Sequence, residues 1–136
     1  MGISRVRSAT IHVSDQDKAL DFYVNILGFE KRQDERFGLD FRWLTVAPPG
    51  EQTELVLAHG YGAWELERVG KFTGIVLGAD DIQATYETLK AEGVQFIEAP
   101  AAQAWGMMQA IFADADGNQY VLVGPAAADV AGDAEQ

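Results

Sequence analysis

Residues 9–32, ATIHVSDQDKALDFYVNILGFEKR, and residues 73–98, TGIVLGADDIQATYETLKAEGVQFIE, carry the same pattern twice. Each runs from a short β-prone strand through an acidic break into an amphipathic helix. A glycine and a second strand follow. Asp15 to Gly28 spans 13 residues, Asp80 to Gly93 spans 13 residues, and the two units are offset by 65. Ser14 or Asp15 can cap the first helix, and Asp80 or Asp81 the second. Leu20, Tyr23 and Leu27, flanked by Phe22 and Ile26, form one apolar face; Ile82, Tyr86 and Leu89 form the other. Gly28 and Gly93 stand where a left-handed residue ends a helix.

Three strands follow each opening strand and helix. In the first unit they are FEKRQD, DFRWLTVA and TELVLA, with PPGEQ as the turn between the last two. In the second they are VQFIEA, GMMQAIFA and QYVLVG, with DADGN as a hairpin turn. The expected fold is therefore α+β, built from two paired βαβββ modules at about residues 5–58 and 72–124. Residues 59–71 connect them within a single domain of residues 1–125, and 126–136 form a flexible acidic tail.

The whole-chain numbers narrow the function classes. A chain of 136 residues suits one domain with its own core. Without cysteine there are no disulfides, thiolate nucleophiles or Cys-based metal sites. No apolar run approaches the ~20 residues of a membrane span, and no leader pattern opens the chain. The expectation is a soluble, cytoplasmic protein. A net charge of −11 argues against a nucleic-acid partner, since phosphates need clustered Lys and Arg. An acidic surface favours cationic ligands, although it also serves plain solubility.

The phrases VSDQDKALDFYVNILGF and WGMMQAIFADADGNQYVLV together resemble the vicinal oxygen chelate (VOC) superfamily, over about residues 5–124. That group includes glyoxalase I, the fosfomycin and bleomycin resistance proteins and the extradiol dioxygenases. The resemblance implies two curled mixed sheets, each enclosing a cleft, and a homodimer. It also implies a divalent metal held by His, Gln or Glu from strands 1, 4, 5 and 8. Carried over by motif, the first, fifth and eighth-strand positions fall on Ser8, Gly74 (Thr73 lies one register away) and Val121, and the fourth-strand position falls in TELVLA, best at Val56 with Glu54 two residues earlier. Ser8, Val56, Gly74 and Val121 supply no imidazole or carboxylate for a divalent metal. Bleomycin-resistance-type members resemble this case, with a cleft that sequesters a ligand without metal-dependent turnover.

Strand alternation sorts the cleft side chains. It sets Ser8, Thr10 and His12 on the cleft face of the first strand, and Glu54, Val56 and Ala58 on that of the fourth. Gly74, Val76 and Gly78 share a face of the fifth, and Gln119, Val121 and Val123 a face of the eighth. On the third strand Arg42, Leu44 and Val46 oppose Phe41 and Trp43. The expected ligand-binding residues are His12, Arg42, Glu54, Gln119 and, as a lip, Trp105. Each has a plainer alternative. His12 can be a strand histidine without a role, Arg42 and Glu54 can pair with each other, and Trp105 can be packing.

The sequence thus points first to a metal-independent small-molecule-binding protein that sequesters a cationic or aromatic compound, with no cofactor. The alternative is a VOC-type lyase, isomerase or dioxygenase. It would use His12 as a general base, or a relocated divalent metal on His12, Glu54 and His59. A regulatory or structural module is a third reading.

Overall fold

Asp15 and Asp81 start the two helices. In the computed structural model, which describes residues 2–125, each carboxylate accepts a hydrogen bond from a backbone N–H three residues on. The donors are Lys18, at 3.1 Å, and Ala84, at 3.0 Å. Such caps satisfy donors that the helix itself leaves unpaired. Helix α1 is Gln16–Asp21 and runs on as one π-helical turn, Phe22–Ile26; α2 is Ile82–Ala91. The wider turn forms where the Leu27 N–H reaches back to the Phe22 carbonyl, 3.0 Å away. The acidic tail expected at 126–136 lies outside the described residues.

The chain divides into two compact units. Among the described residues, one is 2–71 together with Ala115–Asn118, and the other is Phe72–Asp114 together with 119–125. The first unit holds β1 (Ser8–His12), β2 (Glu30–Phe37), β3 (Phe41–Ala47) and β4 (Glu54–Ala58), in the order β1-β4-β3-β2. The second holds β5 (Phe72–Gly78), β6 (Gln95–Ala102), β7 (Met107–Ala113) and β8 (Gln119–Pro125), in the order β5-β8-β7-β6. In each, the first strand pairs parallel with the last and the other pairings are antiparallel. Two mixed, curled sheets of this kind make the α+β fold expected from the repeat. Strands β2 and β6 run several residues past their sequence-based ends, because β3 and β7 continue to pair with them through Phe37 and Ala102.

Each unit buries one face of its sheet against its helix. In the first unit Ile11, Val13, Leu44, Val46, Leu55 and Leu57 are buried together with Ala19 and Tyr23 of the helical segment. In the second, a row of rings crosses the sheet. Tyr86 of α2 meets Phe96 edge-on at 4.7 Å, Phe96 lies 5.8 Å from Phe112, and Phe112 stacks on Tyr120 at 5.5 Å. Such ring pairs contribute beyond their buried area. Gly124 lets β8 pass under the start of α2, where a Cβ would lie 2.5 Å from the Ala79 carbonyl oxygen.

The turn at 115–118 belongs to the first unit although it joins β7 to β8. The Asp116 carboxylate accepts from both the backbone N–H and the hydroxyl of Ser14. The Asn118 amide donates to the His12 carbonyl at 3.0 Å and accepts from the Gly70 N–H at 2.7 Å. From the connector, Trp64 Nε1 donates to the Val13 carbonyl at 3.1 Å. His59 Nδ1 lies 3.0 Å from that same oxygen and is therefore its proton-bearing nitrogen. Three consecutive residues, 12 to 14, are thus held at the end of β1 by side chains from two distant segments.

Candidate functional site

The side of the first sheet away from α1 carries its chemistry. Register decides which residues share it, because directly paired residues point the same way. Ser8 pairs with Glu54, Thr10 with Val56, and His12 with Ala58. Val56 also pairs with Thr45, and Thr45 with Gln33; Glu35 pairs with Trp43, and Phe37 with Phe41. The helix-free face therefore holds Ser8, Thr10, His12, Glu54, Val56, Ala58, Thr45, Trp43, Phe41, Gln33, Glu35 and Phe37. Thr45, Val56 and Ala58 are buried and form its floor, while Glu54, Trp43 and His12 are half-buried around them.

This register corrects the expected sidedness of β3. Val46 pairs with Leu55, which places Arg42, Leu44 and Val46 on the helix-covered face. Arg42 is not a cleft residue and does not pair with Glu54. It is 8% exposed and forms a two-pronged bond to Asp34, at 2.9 Å through both Nε and Nη2, and a 2.7 Å contact to Asp17 of α1. The guanidinium beside Asp34 holds that carboxyl below the ordinary range. Its work is to pin α1 to the β2–β3 hairpin.

Glu54 has other partners. Its Oε1 accepts from Thr45 Oγ1 at 2.6 Å and from Gln33 Nε2 at 2.8 Å. These two bonds hold its carboxyl below the ordinary range, with smaller help from the charges of Arg32 and Arg7. His12 stands at the other end of β1. Its Nδ1 is buried and has no hydrogen-bond partner among the described residues. Burial lowers the imidazole's pKa; the Arg68 charge adds to this and Glu65 opposes it. The ring is therefore neutral at pH 7.

Sequence reasoning missed the aromatic end of this face. Phe37 and Phe41 lie 5.6 Å apart, and Phe41 lies 4.3 Å from Tyr61 of the connector. The Tyr61 hydroxyl is buried without a partner among the described residues, and burial pushes its pKa up. With Trp43, these rings give one end of the face a π surface, while Glu54, Thr45 and Gln33 give the other end a polar one. The available signal was the parity of Phe41, Trp43 and Thr45 in FRWLTVA.

In the second unit the helix-free face is plainer. Gln119, Val121 and Val123 of β8 share it with Ile111 and Gln109 of β7 and with Val76 of β5. Gln119 is half-buried, and its backbone carbonyl accepts from the Thr73 hydroxyl at 2.8 Å. Gly74 lies within an irregular stretch of β5 at φ 75°, left-handed backbone that suits glycine. Trp105 sits in the β6–β7 turn, 58% exposed, and is not packing material within its unit.

A family model described as Glyoxalase/Bleomycin resistance protein/Dioxygenase superfamily matches residues 5–122. The chain belongs to this superfamily. A superfamily member from Sphaerobacter thermophilus is 47% identical, with a TM-score of 0.83 over 91% of this chain and 99% of that one. TnmS3, described as an antibiotic binding protein from Streptomyces sp. CB03234, is 39% identical, with a TM-score of 0.79 over 93% of this chain and 99% of that one. A probable lactoylglutathione lyase of Vibrio cholerae is 25% identical over 90% of this chain and 92% of its own length.

Superfamily enzymes imply a divalent metal, and the residues at the inferred ligand positions do not fit one. Ser8 offers a hydroxyl, Val56 and Val121 hydrocarbon, and Gly74 no side chain. The relocated set is not assembled either. Parallel pairing puts His12 beside Ala58 and Glu54 beside Ser8, about 13 Å apart at the usual strand rise. His59 is turned to the Val13 carbonyl. Among the described residues no three His, Asp or Glu side chains converge on a point.

Proposed function

We propose that this protein is a metal-independent small-molecule-binding protein of the glyoxalase/bleomycin-resistance type that sequesters a cationic or aromatic compound. The observation that carries the reading is the donor chemistry at Ser8, Val56, Gly74 and Val121. Side chains unable to hold a metal stand where the superfamily's enzymes place their ligands. The face that remains has the make-up of a ligand surface: a largely apolar floor, the half-buried rings of Trp43 and Tyr61 beside the exposed rings of Phe37 and Phe41, and a few hydrogen-bonding groups. Likeness to an antibiotic binding protein at 39% identity supports the same reading. On this view the protein is a single cytoplasmic VOC-like domain working as a homodimer, with Trp105 and Gln119 as further ligand contacts.

The test is calorimetric titration of EDTA-treated protein with a panel of cationic and aromatic antibiotics. Micromolar or tighter binding by at least one compound, unchanged by added Ni²⁺, Zn²⁺ or Mn²⁺, is expected. Uniformly flat titrations would end the sequestration reading.

A second reading is favoured by His12, whose neutral Nδ1, without a partner among the described residues, has the form of a general base. The protein would then be a lyase or isomerase, in line with its lactoylglutathione lyase relative. Under that reading His12→Ala abolishes turnover and leaves stability nearly unchanged.

A further inference from the structure

Glu54 is placed as an ion and, among the described residues, left without a counter-ion. Both of its protein donors, Thr45 Oγ1 and Gln33 Nε2, bind the same oxygen, Oε1. Among the described residues Oε2 receives no hydrogen bond and Glu54 joins no ion pair. Arg32, the nearer in influence of two surrounding cations, is spent on Glu30 and the Pro48 carbonyl. The other, Arg7, is exposed and forms no pair with Glu54 among the described residues. Two neutral donors thus orient the carboxylate without cancelling its charge.

A half-buried carboxylate in this state repels anions and attracts a protonated nitrogen, which gains most where water is partly excluded. Its neighbours on the face, Ser8 and Thr10, are exposed and small. At the other end stand Trp43, Phe41 and Phe37. Continuing the β3–β4 register from Thr45 and Val56 sets Trp43 beside Ala58, four residues from Glu54, a span of about 13 Å. One face therefore offers an anion at one end and rings at the other.

Resting on the small-molecule-binding reading above, we propose that Glu54 Oε2 is the contact for a protonated nitrogen of the ligand, which makes the ligand an amphipathic aromatic amine. The amine lies at Oε2 and the ring system toward Trp43 and Phe41. Neutral aromatic compounds of the same shape bind the rings alone, and anionic ones are rejected.

The experiment is calorimetry at pH 7 with 4-(2-naphthyl)butylamine and its neutral counterpart 4-(2-naphthyl)butanol. Wild type should bind the amine about tenfold to a hundredfold more tightly, the range of a hydrogen bond to a charged group. Glu54→Gln should bind both compounds equally, and a far-UV circular dichroism spectrum and melting curve close to wild type's show that the variant is folded. Glu54→Asp, which keeps the charge on a shorter arm, should retain part of the preference. Equal binding by wild type overturns the proposal while the binding reading stands, and so does a preference that survives in Glu54→Gln. A preference that appears only in Arg7→Ala also overturns it, because Arg7 would then be the partner of Oε2. If neither compound binds, the binding reading fails and the Glu54 assignment falls with it.

Discussion

Asn118 should be among the most costly single side chains in the chain to remove. It is 2% exposed, and its amide serves two backbone groups that come from different parts of the sequence, the His12 carbonyl and the Gly70 N–H. Asn118→Ala leaves both without that partner. An unsatisfied buried polar group costs about 1–3 kcal/mol, so the pair costs about 2–6 kcal/mol. For a domain with roughly 5–15 kcal/mol to lose, that is a large fraction. Unfolding entropy of about 2.1 cal/mol/K per residue converts 3 kcal/mol into a fall in Tm of about 10 °C for 136 residues. Urea unfolding followed by circular dichroism gives the free energy, and calorimetry gives Tm. Asn118→Asp separates the two bonds, since it keeps an acceptor for Gly70 and loses the donor for His12. It should fall between wild type and alanine. If Asn118→Ala lies within 0.5 kcal/mol of wild type, on the usual scale for a surface change, the account of the 115–118 segment is wrong.

Other expectations are equally direct. Arg42→Ala leaves Asp34 without its principal partner and should cost about 3–5 kcal/mol in urea unfolding, the range for breaking a largely buried pair. Asp34 has a lowered folded pKa, so its contribution is present above the unfolded value near 3.9 and lost as pH falls below it; the acid limb of stability should flatten in Arg42→Ala. His12 also has a lowered folded pKa, so stability should decline as pH drops below about 6.5, where the unfolded imidazole takes up a proton first. Nitrogen-detected NMR should find its midpoint below that value, and His12→Phe should remove the slope. Gly124→Ala forces a methyl to within 2.5 Å of the Ala79 carbonyl oxygen and should cost about 1–3 kcal/mol by thermal unfolding, or more if β8 cannot shift.

The repeat, the caps and the strand sequence were legible because each rests on local chemistry. Asp15 and Asp81 cap their helices, and of the apolar positions the sequence marks on α2, Ile82 and Leu89 are buried while Tyr86 is half-buried against Phe96. The sidedness of β3 was not legible. Leu44, Thr45, Val46 and Ala47 are all buried, so alternation of exposure disappears where it was needed. Arg42 then looked like a polar group facing a cleft. Only pairing with β4 fixes the parity, and pairing is a property of two strands. Glu54 was legible as a residue of the helix-free face, but its two donors were not, since Gln33 and Thr45 lie on other strands. The part played by Asp116 and Asn118 was hidden for the same reason. DADGN signals a turn, and nothing local to it says which backbone its side chains will hold.

The 115–118 segment has a consequence for synthesis. Ser14 and Asp116 are 102 residues apart in sequence, and His12 and Asn118 are 106 apart. A chain emerging from the ribosome makes β1, α1 and the rest of the first module early, with Trp64 and His59 soon after, yet Asp116 and Asn118, which also fasten the end of β1, follow only once β7 has been made. The end of β1 waits, with His12 and Gly70 lacking the Asn118 amide, until the 115–118 turn has been made. The two repeats are similar in pattern but unequal in time, and the earlier one is fastened by a turn that lies between two strands of the later one.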